Sequence, residues 1–508
     1  MKKILTFTSL NSNHPLSTHS GLFFPFSKTK VLSTLNQPSQ SRFFIEHIKP
    51  HPIPELPVLN ALREKAQFLP IINLKKAALV SIQHNLESTP SLYQQLIKLG
   101  LPANNIYASG KWYSDNVQVI ERIKKMGIHY IDSPAPSNIT QYRDCNRRKM
   151  EKIWLTCHDD IKKKQIDTLL VLDEGGRLLE SMPYELRLTC KTAGIEQTKA
   201  GLFNTNSHFV PFPIINIADS FAKRDLESPL IADAIWQHIH TLIHTDSNLK
   251  SATVFGVIGN GAIGSNVVKN LLAQGHFVLI YDEKESAFNI GTFKRLFRMS
   301  SIQGVILNSE VILGCTGKDI TQHLDIKSIA MNKTFISCTS EDKEFFSLLK
   351  FIASESNQIY PPFSDINYKL GGNVSIKIIR GGFPVNFDKS PISVPTQDIQ
   401  LTRGLLFGGI LQALTVVKKP MGNGWAINHP VLFSLDPHIQ KFVVDIWRKF
   451  QPEKRYPKPL LDSFQDIDWI KNKSGGVYQE NPIFKQIFSI PSPPHPQPRP
   501  SFNMQYRP

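Results

Sequence analysis

Gly259-Asn260-Gly261-Ala262-Ile263-Gly264 constrains this chain more than any other feature, because of what flanks it. Thr253-Val254-Phe255-Gly256-Val257-Ile258 before it has the length and apolar character of a buried parallel strand. After it, Val267, Val268, Leu271 and Leu272 recur at helical spacing, and Gly275 is a stop signal. Phe277-Val278-Leu279-Ile280-Tyr281 reads as a second strand and ends on Asp282, 23 residues beyond Gly259. These pieces make a complete βαβ unit. Glycines permit a tight turn and let the backbone approach a pyrophosphate, while the helix N-terminus offers that group unpaired N–H donors and a positive dipole end. An acid at the end of the second strand binds the ribose hydroxyls of NAD and repels the extra phosphate of NADP. The expected cofactor is therefore NAD, held by Gly259, Gly261, Ala262, Ile263, Gly264 and Asp282, with Lys284 leaving some room for NADP.

A chain of 508 residues exceeds one ordinary core, so two or more domains are expected. The 58 basic and 42 acidic residues give a net charge of 58 − 42 = +16. The basic runs are short, Arg147-Arg148-Lys149 and Lys162-Lys163-Lys164, and no RNA-binding or helix-turn-helix pattern accompanies them. They read as a solvated basic surface rather than a nucleic-acid footprint. Cys145, Cys157, Cys190, Cys315 and Cys338 are odd in number and lack CxxC spacing, which argues against a disulfide framework or zinc ribbon and for a reducing, cytoplasmic setting. Gly404 to Val417 is apolar but too short to span a bilayer and reads as a buried helix, so no membrane partner is expected. His238, His240 and His244 fall on a helical stretch without an HExxH pattern, so no metal site is read there.

The expected organisation runs as follows. Residues 1–50 form a polar, basic extension without a sustained apolar stretch or clear cleavage site, read as a disordered arm with a transit or secretion signal as the alternative. Residues 51–245 form an α/β substrate-type domain, with strands at Ala77–Ile82, Asn105–Ala108, Ile128–Ile131 and Thr168–Leu172 and helices at Pro90–Leu99 and Asp115–Lys125. Residues 246–390 form a Rossmann-type NAD-binding domain, continuing through strands Val311–Gly314 and Thr334–Ser337. Residues 391–470 return to the substrate domain through a helix around Leu401–Lys418, and 471–508 form a tail in which six of the ten residues Pro491–Pro500 are proline.

Several segments around the glycine turn resemble the S-adenosylhomocysteine hydrolase family, in the family's order and over roughly residues 55–420. Phe212-Pro213-Ile214-Ile215-Asn216-Ile217-Ala218-Asp219-Ser220-Phe221-Ala222-Lys223 is similar to P-A-I-N-V-N-D-S-V-T-K, with Lys223 36 residues before Gly259. Leu172-Asp173-Glu174-Gly175-Gly176 resembles L-D-D-G-G. Gly194-Ile195-Glu196-Gln197-Thr198-Lys199-Ala200-Gly201 resembles G-x-S-E-E-T-T-T-G, one residue short. Cys315-Thr316-Gly317-Lys318-Asp319-Ile320 resembles T-T-G-x-x-D-I, and Gly382-Phe383-Pro384-Val385-Asn386-Phe387 resembles E-G-R-L-V-N-L.

The resemblance implies a redox-assisted elimination: NAD+ oxidises the ribose 3′-hydroxyl, the ketone acidifies C4′, homocysteine leaves, water adds, and the ketone is reduced again. It implies catalytic roles for Lys223 at the 3′-oxygen, Glu174 at the C4′ proton, Glu227 as the partner of the lysine, and His84 as acid and base for leaving sulfur and incoming water. It implies substrate binding at Thr198, cofactor contacts at Thr316 and Asn386, a nucleoside-type ligand and a homo-oligomer. The chain departs from the family at Gln197 (Glu expected), Ser228 (Asn), Thr339-Ser340-Glu341 (G-H-F) and Asp388-Lys389-Ser390-Pro391 (G-H-P). These departures touch ribose and adenine recognition and keep an alternative open: an NAD-binding homologue without catalysis, acting as a regulator or partner.

Overall fold

The computed structural model describes residues 52–489 apart from 72, 208–209, 211, 285–292, 357, 418–431, 452–454 and 480. The N-terminal extension and the proline-rich segment lie outside the described residues, as does Lys418 at the end of the helix read around Leu401.

The described chain builds two seven-stranded sheets. The first holds β1 (Ala77–Ile82), β2 (Ile106–Ser109), β3 (His129–Ile131), β4 (Thr168–Asp173), β5 (Lys191–Glu196) and β6 (Ile214–Asn216). The second holds β7 (Val254–Ile258), β8 (Phe277–Tyr281), β9 (Leu296–Arg298), β10 (Val311–Gly314), β11 (Lys333–Ser337), β12 (Ile366–Gly371) and β13 (Val374–Ile378). The chain then returns to the first sheet as β14 (Leu432–Ser434), parallel to β6. The fold is thus α/β, a Rossmann-type domain beside a split α/β domain.

Both sheets are wound outward from their first strand. The first runs β3-β2-β1-β4-β5-β6-β14 and the second β9-β8-β7-β10-β11-β13-β12. All neighbours are parallel except β12 and β13, an antiparallel hairpin turned at Gly371-Gly372. Such sheets are covered on both faces, so their strands are nearly continuous apolar runs. In β1 every residue is buried, and its one hydroxyl, Ser81, is satisfied by Tyr93 Oη at 3.0 Å. Alternate residues serve opposite cores: Leu79, Leu170 and Ile215 join Leu405 and Phe407, whereas Val80, Val171 and Ile214 join Ile153 and Trp154. In the second sheet Val257, Ile280 and Leu313 join Val267 and Leu271, whereas Ile312, Phe335 and Ile378 join Val305 and Leu349.

Two expectations need correcting. The apolar stretch read as Gly404–Val417 belongs to a longer helix, Thr396–Val416, whose 21 residues would suffice in length and composition to cross a membrane. It is the core helix of the first lobe, with 94% of its most apolar window buried in protein. In its first turns Gln400 and Arg403 are buried with hydrogen-bond partners, so polar residues there also belong to the core. Nor is Arg147-Arg148-Lys149 wholly a solvated run: Lys149 is buried, its Nζ donating to Gly110 O at 2.6 Å, and burial pulls its ammonium down to about 8.

Candidate functional site

In a doubly wound sheet the loops leaving the first strand and its oppositely directed neighbour diverge and open a crevice at the strands' carboxyl ends. This molecule has two such points. In the first sheet they are the ends of β1 and β4, followed by Gln83-His84 and by Glu174-Gly175. In the second they are the ends of β7 and β10, followed by the glycine turn and by Cys315-Thr316. Both open into one cavity of about 610 Å³, lined among others by His84, Glu174, Thr198, Lys223, Glu227, Gly261, Ala262, Ile263, Thr316 and Asn386. The structure therefore brings together ten of the thirteen residues picked from sequence. Gly259, Gly264 and Asp282 stand behind the lining.

The glycine turn has the shape its sequence predicts. Gly259 has φ +98°, and a Cβ there would lie 2.8 Å from Cys315 O. A Cβ on Gly264 would lie 1.9 Å from Gly259 O, so only glycine lets helix Ala262–Ala273 sit this close to the loop. In front of Gly261 there is open space, and no side chain caps the helix. Its first N–H groups thus face the cavity, as a bound pyrophosphate requires. Asp282 accepts from Asn260 N–H at 2.5 Å and from Lys284 N–H at 2.8 Å, tying the second strand's end to the turn. Thr316 and Gly317 donate their N–H groups to Glu344 at 2.5 and 2.7 Å, and burial pushes that carboxyl up to about 7.

The opposite wall carries ionisable side chains. His84 Nε2 lies 2.8 Å from Glu174 Oε1, and the His84 N–H donates to Glu174 Oε2 at 3.2 Å. His84 Nδ1 and Ser114 Oγ are 2.6 Å apart, and the ring stacks on Phe387 at 4.0 Å between centroids. Burial holds the imidazole below its ordinary value despite the carboxylate. Burial also pushes the Glu174 carboxyl up, but His84 and Lys111 more than offset it and hold it well below the usual range.

Lys223 stands where the chain leaves the first sheet for the second. Its Nζ meets both oxygens of Glu227, at 2.8 and 2.6 Å, across a wide π-type turn that opens helix Ser228–Thr245. Turns of this kind recur at functional sites. Thr198 donates through N–H and Oγ1 to Glu196 at 2.7 and 2.6 Å, and Asn386 Nδ2 donates to Ser393 Oγ at 3.3 Å. Gln197 and Thr402 also line the cavity, and Gln197 Oε1 and Thr402 Oγ1 are buried without a hydrogen-bond partner among the described residues. Buried polar atoms are almost always paired, so these two point to a polar ligand.

Sequence reasoning missed Arg403, Lys111 and Glu344. Arg403 holds Gln83, Ser88 and Thr89 at 3.0, 3.0 and 2.9 Å and lines the cavity. A lone arginine in an apolar helix was the available signal. On one side the lobes meet in an aromatic cluster: Trp112, Tyr113 and Tyr142 from the first against Phe363, Phe383 and Phe387 from the second.

No family model matches the chain. Two uncharacterized proteins of Mycobacterium tuberculosis, MT0113 (strain CDC 1551 / Oshkosh) and Rv0104 (strain ATCC 25618 / H37Rv), are each 27% identical over 402 residues, 78% of this chain and 75% of theirs. Among solved structures, a 2-hydroxyacid dehydrogenase from Ketogulonicigenium vulgare Y25 is 12% identical, covers 51% of this chain and 86% of its own, and has a TM-score of 0.32. An NADPH-dependent glyoxylate/hydroxypyruvate reductase from Sinorhizobium meliloti is 10% identical, covers 48% and 80%, and has a TM-score of 0.30. A likeness this slight leaves the chemistry to be argued from the residues themselves.

Proposed function

We propose that this protein is an NAD-dependent enzyme of the adenosylhomocysteinase type, acting on a nucleoside 5′-thioether such as S-adenosylhomocysteine by transient oxidation of the ribose 3′-hydroxyl. The observation that carries this reading is one cavity with two unlike walls. A glycine turn and uncapped helix stand on one side, and the Lys223–Glu227 and His84–Glu174 pairs on the other. A dehydrogenation needs the first wall, and an elimination with water addition needs proton-handling pairs such as the second.

Gly259, Gly261, Ala262, Ile263 and Gly264 would hold the dinucleotide's pyrophosphate, Asp282 its ribose, and Thr316 and Asn386 its nicotinamide end. When bound, the cofactor supplies a hydride acceptor and donor. Lys223, oriented by Glu227, stands at the 3′-oxygen and stabilises the negative charge that develops there. Glu174, a carboxylate between His84 and Lys111, is the base that takes the C4′ proton and later returns it. His84 gives a proton to the departing sulfur and takes one from the incoming water, its ring fixed by Glu174, Ser114 and Phe387. Thr198, Gln197 and Thr402 bind the nucleoside's polar groups. By the same resemblance the enzyme works as a homo-oligomer, and the odd number and spacing of its cysteines fit a reducing, cytoplasmic setting.

A second reading is an NAD-binding protein without turnover. Ser340 favours it: it lines the cavity where the resembled family carries the histidine of its G-H-F segment, so that imidazole is missing here. The two readings part on one experiment, absorbance and mass spectrometry of the purified protein before and after adding S-adenosylhomocysteine or adenosine. Bound NAD that becomes reduced supports the enzyme. Bound NAD that stays oxidised with both ligands supports the second reading.

A further inference from the structure

We propose that Lys111 is a positioning residue for the proposed reaction: its buried ammonium, shared between a carboxylate of each lobe, holds Glu174 as the anion that anchors His84. This inference rests on the functional reading above. Lys111 follows β2 and is only 3% exposed, yet its Nζ makes no hydrogen bond to any described residue. It lies 4.0 Å from Glu174 Oε1. On the other side is Glu341, from the loop after β11. A Cβ built on Gly175 would stand 3.9 Å from Lys111 Nζ and 3.6 Å from Glu341 Oε1, so both charges border the same small gap.

Burying an ammonium without a hydrogen bond is costly and does not stabilise a fold by itself. Here the geometry gives it work. Lys343, Glu341, Lys111, Glu174 and His84 form a series of alternating charges that crosses from the second lobe to the first. Glu341 takes φ +68°, a left-handed backbone unusual outside glycine, and donates its N–H to Tyr113 Oη at 3.3 Å. Strain of that kind persists where the surroundings over-determine it. The charged groups facing His84 are Glu174, Lys111 and Arg403, and those facing Lys111 are Glu174, Glu341 and Glu196, with the Tyr113 hydroxyl. Without Lys111, Glu174 loses its second cation and His84 loses a repelling one, so the pair takes up a proton at higher pH. Without Glu341, the ammonium acts on the pair uncompensated, and the shift has the opposite sign.

The test is the pH titration of His84 by NMR in the intact, histidine-labelled protein, with His84→Asn to assign the signal. Lys111→Met is expected to raise the His84 midpoint by about one pH unit or more, as a charge within 4–6 Å does. Lys111→Arg is expected to restore it, and Glu341→Gln to lower it. An unmoved midpoint in Lys111→Met, or Lys111→Arg behaving like Lys111→Met, overturns the proposal. If Lys111→Met does not fold, Glu341→Gln decides by its sign, and no shift or an upward one overturns it. The titration needs no turnover, so a missing NADH signal would count against the functional reading and leave this result standing. If both hold, the acid limb of nucleoside-dependent NAD reduction moves with His84.

Discussion

Over their first five strands the two sheets share one winding, 3-2-1-4-5, and they differ in what they place at the switch point. The second supplies backbone: glycines, N–H groups and a helix end at Gly259–Gly264. The first supplies side chains: His84 after β1 and Glu174 after β4, in contact at 2.8 Å. The same topology thus yields a passive cradle in one lobe and a titratable pair in the other. Fold places the crevice, and the first two or three loop residues decide its chemistry.

This division of labour can be broken by experiment. The largest effect is expected from Lys223→Ala: turnover should fall by about 10²–10⁴-fold while bound NAD, measured by mass spectrometry, remains. Loss of the cofactor as well would mean that the two walls are not separable. Next is Arg403→Met, which strips Gln83, Ser88 and Thr89 of their common donor. We expect a stability loss of about 3 kcal/mol in urea unfolding, because buried polar groups are left unsatisfied. Gly264→Val drives a side chain into Gly259 O. Overpacking of about 1–3 kcal/mol should weaken NAD binding by about 5–150-fold in calorimetry, with the His84 NMR signal unchanged.

The smallest effect is on pH. His84 and Lys111 hold the Glu174 carboxyl below its ordinary value, so the unfolded chain binds that proton more readily than the folded one. This contribution is full above the unfolded value of about 4.3 and is lost as pH falls below it. Urea midpoints measured through the acid range should fall less steeply for Glu174→Gln than for the wild type. Equal slopes would remove the pair from the account of acid stability.

Much of both sheets was legible. The bounds of β1, β8 and β10 match the sequence reading residue for residue, because strands buried on both faces leave an unbroken apolar signature. The β12–β13 hairpin was not read, although Gly371-Gly372 between two segments of mixed polarity carried a turn signal. The site was legible where one local segment makes it, as in the glycine turn. It was illegible where partners come together only in space. Nothing near Lys111 in the chain announces Glu174 or Glu341, and Arg403 meets Gln83 across 320 residues.

The aromatic cluster between the lobes has a kinetic consequence. Parting Trp112, Tyr113 and Tyr142 from Phe363, Phe383 and Phe387 exposes several rings to water at once, and each is a large apolar surface. Widening the cavity on that side is therefore an uphill excursion rather than a free swing. Any motion of the lobes that parts this seam carries the cost of exposing its rings, whatever contacts a ligand makes.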